Sequence, residues 1–246
     1  MSRIPEVIKS ALEADQTGAW CRKQTQELAS MGKLAEQDIV KAVSKGIGKL
    51  VDVALSDHLL TADEETRVLD VKNSLSDWLD GTAFSATQER LVKAALMRDI
   101  QAGNITERVT IQGQLPILIG KNEKTIWLFN DVNYYETRTR TQYVGGSQGA
   151  SIRIMKGVYY RVGAFKGERI QSDYVNHSDT GHLLITDKHL HFKGGSKAFR
   201  VPINKIISVE MLSDGIKIYK ESANPRPQAF GVDDPWFASN VISLLA

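Results

Sequence analysis

The spacing of apolar residues changes near residue 105, and that change constrains the fold of this 246-residue chain more than any other feature. Before it, apolar residues recur at helical intervals: Ile4, Val7, Ile8, Ala11 and Leu12, then Ile39, Val43, Ile47, Leu50, Val51 and Ala54. Val68, Val71, Leu75, Trp78 and Leu79 form a third stripe, and Val92, Leu96 and Ile100 a fourth. A further, weaker helix is expected from about Thr17 to Met31. Thr61–Glu64 and Ser85–Gln88 both spell a capping box, in which a hydroxyl and a Glu or Gln side chain satisfy each other's backbone N–H. Both are expected to start helices, with Gly103 as a left-handed stop. Residues 1–105 read as a helical bundle.

Beyond that point β-branched and aromatic residues dominate, with Gly at the joints. Strands are expected at 124–129, 132–144, 150–165 and 168–176, then at 181–186, 189–193, 197–203, 206–212, 216–220 and 228–232. Gly145–Gly149 reads as a hairpin connection, and Asp214-Gly215 as a tight turn. Asp234-Pro235 opens a closing helix whose apolar face is Phe237, Val241, Leu244 and Leu245. Phe192, Phe199, Ile206 and Ile218 are expected in the core, with Phe237 docking the last helix. The fold class is therefore α+β: an N-terminal all-α bundle (1–105), then an antiparallel β domain (106–246) with a C-terminal capping helix.

The wording of the β half also carries a resemblance. Gly181-His-Leu-Leu-Ile-Thr186, His189-Leu-His-Phe192, Phe199-Arg-Val-Pro-Ile203 and Lys205-Ile206, followed by Asp214-Gly215-Ile216 and Gln228-Ala-Phe230, resemble bacterial PH-like and GRAM domains over about residues 168–246. Tyr143–Ser147 and Gly157–Arg161 resemble a segment preceding such domains in uncharacterised bacterial proteins. In the helical half, Val53–Glu64 is similar to the repeat unit of TerB-like domains associated with bacterial stress responses, with His58 where that pattern has Gly. The first resemblance implies a small closed barrel that binds an anionic lipid headgroup, or a protein through a sheet edge or groove. The second raises a divalent cation at Asp57, Asp63, Glu64 and Glu65. An EF-hand loop needs alternating carboxylates, a central Gly and a terminal Glu, and that spelling is absent. Acids at a helix start meet the positive end of its dipole without any metal.

Charge is segregated. Residues 1–109 hold 14 Lys+Arg against 17 Asp+Glu, and residues 110–246 hold 17 against 12. Arg138 and Arg140 lie two apart on one expected strand, and Arg153 and Arg161 an even number apart on the next. If those strands pair, four guanidiniums share a surface and require something anionic between them. Lys193 and Lys197 bracket Gly194-Gly195, a turn whose amides and ammonium groups suit a phosphate. These six residues are the expected anion-binding site.

Other chemistries find less support. His182, His189 and His191 lie close together, but a zinc site needs at least one further ligand. Strand alternation puts Leu190 and Phe192 inward and is expected to turn His189 and His191 to solvent. Gly145–Gly149 lacks the Gly-Lys-Ser/Thr ending of a phosphate loop, and no Gly-x-Ser-x-Gly elbow occurs. Cys21, the single cysteine, precludes an internal disulfide and reads as inert helix filling. The N-terminal segment reads as an amphipathic helix, not a signal peptide, and no run of about 18 apolar residues occurs. The near-neutral balance argues against duplex nucleic acid. The expectation is a cytoplasmic, non-enzymatic interaction module, peripheral to the inner membrane face or purely protein-binding, with no cofactor and an acidic protein or anionic membrane surface as partner.

Overall fold

Helical spacing in the first hundred residues produces five α-helices in the computed structural model. It describes residues 3–56, 60–79, 81–109, 111, 117–144, 147–155, 158–165, 168–222 and 226–246, with the side chains of 81–84 and 137–175 outside that set. The helices are α1 (Ile4–Glu13), α2 (Gly18–Gly32), α3 (Glu36–Ala54), α4 (Ala62–Ser74) and α5 (Gly81–Gln101). Two compact units emerge: residues 1–128 with 185–188 and 240–246, and residues 129–184 with 189–239.

In the helical unit, α1 buries Ile4, Pro5, Ile8 and Ala11, and α3 buries Val43, Gly46, Ile47, Leu50 and Val51. The two helices approach so closely that a Cβ on Gly46 would lie 2.8 Å from the Ile8 side chain and 3.2 Å from the Pro5 backbone. Glycine is required there for lack of space, not for its dihedral freedom. The Thr17 hydroxyl caps α2 by accepting from Trp20 N–H, and Asp70 on α4 accepts from Gly18 N–H at 2.7 Å. At α4 both halves of the capping box form: Glu64 N–H donates to the Thr61 hydroxyl and Thr61 N–H to the Glu64 carboxylate. Gly103 ends α5 with φ of 74°. The second capping box is a correction, because α5 begins at Gly81 and Ser85 lies inside it. Helical backbone already runs through that residue, so its spelling marks no boundary.

The β region contains β1 (Thr125–Val144), β2 (Ser147–Met155), β3 (Val158–Phe165), β4 (Glu168–Thr186), β5 (His189–Gly194), β6 (Ala198–Pro202), β7 (Ile206–Met211), β8 (Gly215–Lys220) and β9 (Gln228–Gly231), followed by α6 (Pro235–Leu245). Seven strands form one sheet in the order β6-β5-β4-β1-β9-β8-β7, and β2 and β3 form a separate ribbon. Four expectations are corrected by this topology. The 124–129 and 132–144 segments join into one strand with Asp131 at φ of 53°, a left-handed kink that Asp tolerates. Residues 168–176 and 181–186 likewise join as β4, whereas the expected 150–165 strand is two strands, β2 and β3, paired antiparallel with Ser151 opposite Arg161 and Arg153 opposite Tyr159. The partners of β1 in the sheet are β4 and β9, while β2 pairs with β3; Gly145 and Gly146 of the expected connection lie outside the described residues.

The sheet is also open. Because β1 lies between β4 and β9, the meanders β4-β5-β6 and β7-β8-β9 extend in opposite directions, and consecutive strands β6 and β7 end at opposite edges. A closed barrel would need those two to pair. Tyr134 packs at 5.1, 4.9 and 5.3 Å from the ring centroids of Phe192, Phe199 and Phe230. Phe192 and Ile218 are buried as expected, while Phe199 and Ile206 are only half-buried. Phe237, fully buried, meets Phe129 with centroids 6.3 Å apart. The Asp234 carboxylate caps α6 by accepting from Phe237 N–H at 3.0 Å, but Leu244 is 40% exposed and falls off the expected apolar face. No helix among the described residues is long and apolar enough to cross a membrane.

Candidate interaction surface

Just after Gly194-Gly195, backbone donors meet a carboxylate of the chain's own. Ser196 and Lys197 N–H both donate to Asp179 Oδ2, at 2.8 and 2.7 Å, and the Ser196 hydroxyl adds a third bond at 3.1 Å. Thr180 N–H binds the other carboxylate oxygen at 2.9 Å. A Cβ on Gly194 would sit 2.3 Å from that carboxylate, so the close approach depends on glycine. Donation from the Ser196 and Lys197 amides holds the Asp179 carboxyl down to about 2. Lys197 is occupied too. Its ammonium pairs with Glu136, lowering the Glu136 carboxyl, and stands 5.7 Å from the Tyr134 ring centroid. Lys193 is half-buried on β5.

The side chains of Arg138, Arg140, Arg153 and Arg161 lie outside the described residues. Their backbones divide between the seven-stranded sheet and the β2–β3 ribbon. Arg138 and Arg140 stand on β1, Arg153 on β2 and Arg161 on β3, so Arg153 and Arg161 do not share the single strand expected of them.

Among the acidic candidates, Asp57 lies outside the described residues. Asp63 pairs with Arg67 at 2.9 Å, Glu64 serves the α4 cap, and Glu65 turns to two arginines. Arg98 reaches both Glu65 and Asp99 at 2.7 Å, while Arg108 reaches Glu65 at 2.5 Å and Asp99 at 2.7 Å. Burial pushes the Asp99 carboxyl up, but bonds from Arg108, Arg98 and Thr106 outweigh it and hold the group below its ordinary value. Beside this cluster a cavity of about 280 Å³ is lined by Glu65, Leu69 and Lys72 of α4, Gln88, Leu91 and Val92 of α5, and Arg108. Cys21 is fully buried, and that burial, with Asp70 nearby, pushes its thiol up to about 11. A thiol so shifted is a poor nucleophile.

The histidines are a correction. His191 is 5% exposed, because β5 lies between β4 and β6 and is covered on both faces from Leu190 to Phe192. His189 is half-buried, and the two rings meet edge-on with centroids 5.5 Å apart. His182 Nδ1 contacts Asn130 Oδ1 at 2.9 Å.

What the sequence reading overlooked is the last strand of the sheet. On β7, Ile207 is 70% exposed and Met211 54% exposed, although both are apolar. Glu210 is directly opposite Lys217, pairs with it at 3.5 Å, and accepts from the Tyr219 hydroxyl at 2.8 Å. At the other end of the strand, exposed Lys205 precedes Ile206, which stands opposite Lys220. The strand carries a register shift between Ile206 and Ser208, where Ile207 bulges out, but neither Pro nor an inward charge blunts the edge. A signal was available: Ile206-Ile207 are consecutive apolar residues, and a strand with one buried face can hide only one of them. Comparison with protein-family models and with curated proteins gave no match to the chain.

Proposed function

We propose that this protein is a non-catalytic docking module that takes an acidic, extended protein segment by strand addition along β7. The observation that carries this reading is the end strand of an open sheet displaying Ile207 and Met211 to solvent. An added strand gains main-chain hydrogen bonds, while pockets for alternate side chains set its selectivity. Charge decides the class of partner. Glu210 is met by Lys217 and Tyr219, whereas Lys205 and Lys220 flank Ile206 at the opposite end, with Glu221 beside them. Acidic side chains on the incoming strand would meet those ammonium groups.

The PH-like and GRAM resemblance supports the same class of activity, since such domains bind proteins through a sheet edge as well as lipids. The TerB-like resemblance extends the proposal to a bacterial stress-response scaffold. In this reading the protein acts in the cytoplasm and needs no membrane anchor.

The test uses a fluorescent peptide alternating Val and Glu, its Val/Lys counterpart, and vesicles of phosphatidylglycerol and phosphatidylcholine. The acidic peptide should bind, weaken as salt is raised, and lose at least tenfold affinity in Lys205→Glu/Lys220→Glu and in Ile207→Glu. Equal binding of the Val/Lys peptide, or indifference to these substitutions, would overturn the proposal. Vesicle binding without peptide binding would replace it with a lipid-recruitment module.

A further inference from the structure

We propose that His189 and His191 form a chelating site for a divalent transition-metal ion of the zinc class. Both occupy β5, two residues apart, so their side chains leave the same face of the strand. Their ligand nitrogens lie within 4.8 Å of each other. A tetrahedral ion with Zn–N bonds of about 2.0–2.1 Å requires two nitrogens about 3.3 Å apart. Small rotations about the soft Cβ–Cγ torsion of each imidazole supply that difference without moving the backbone.

The surroundings favour an ion that prefers nitrogen. Neighbours Leu190 and Phe192 are buried, and His191 itself is nearly so, which holds its ring in place. The two rings already meet edge-on, so the second imidazole stands next to the first before any ion arrives. Imidazole suits zinc, copper and nickel, whereas magnesium and calcium select oxygen ligands. Two imidazoles fill half of a tetrahedral sphere and leave the other positions for water or a further ligand. His177 and His182 are engaged separately, His177 Nε2 with Thr180 Oγ1 at 3.1 Å and His182 with Asn130, and serve as internal controls.

Titration of the full ¹⁵N-labelled chain with zinc chloride, followed by calorimetry and by imidazole nitrogen shifts, tests the site. The expected result is one ion per chain, large shifts at His189 and His191, little change at His177 and His182, and no response to magnesium. His189→Ala and the polar His189→Gln should each weaken binding at least tenfold while circular dichroism shows the fold retained. The inference is overturned by absent zinc binding, by shifts centred on other histidines, by an equal magnesium response, or by unchanged affinity in both variants.

Discussion

The helical unit and the sheet unit compensate their half-exposed carboxylates by different means. In the first, Glu65 and Asp99 face the guanidiniums of Arg98 and Arg108, so side chains from distant points in the sequence compensate one another. In the second, Asp179 is met mainly by the backbone amides of a glycine-bearing turn. The difference teaches where each unit is vulnerable. A side-chain network depends on residue identity, while a carboxylate in a turn depends on backbone shape. The same contrast governs the secondary structure, since the helices close their hydrogen bonds locally and each strand depends on a remote partner.

The largest effect is expected in the sheet unit. Phe192→Ala removes a buried ring that packs on Tyr134, Phe199 and Phe230, and should cost about 3–5 kcal/mol. Hydrogen exchange of the β4, β5 and β9 amides measures it. A loss below about 1 kcal/mol would show that this aromatic cluster does not hold the two meanders on β1.

A smaller effect separates a real cap from a misread one in the helical unit. Thr61→Ala should destabilise by about 1 kcal/mol, because it leaves Glu64 N–H without the Thr61 hydroxyl. Ser85→Ala, inside α5, should fall within about 0.5 kcal/mol of the parent by chemical denaturation. Equal costs at the two positions would break the distinction.

The smallest effect concerns pH. Asp179 has a folded value of about 2, below the usual 3.9 or so of a free aspartate. Its contribution to stability is complete above about pH 4 and disappears as pH falls through 2. The Tm of Asp179→Asn should therefore lie below the parent at pH 5 and converge with it toward pH 2. A constant gap across that range would mean the charge on Asp179 is irrelevant to the turn.

Legibility in the sequence followed the range of the interactions. The α4 box, the Gly103 stop and the Asp234 cap are each decided within four residues, and each stands where expected, whereas Gly215, expected in a turn, opens β8. The anion-accepting turn at Gly194-Gly195 was legible as a shape, but its occupant comes from Asp179, 17 residues before Ser196. Burial of His191 went unforeseen because alternation predicts which face a side chain takes and is silent on whether both faces are covered. The exposed β7 edge was hidden for a related reason, since nothing local to Ile206–Met211 says it is the last strand.

The amino-acid order alone determined the α+β class, several helix ends and the approximate place of the strands, because capping and periodicity act over a few residues. Only the tertiary structure decided that β1 enters between β4 and β9, that the sheet stays open and that Asp179 closes the anion site. Strand partners and charge partners are chosen by competition among distant segments for the same hydrogen bonds, and that competition is resolved only when the chain is folded.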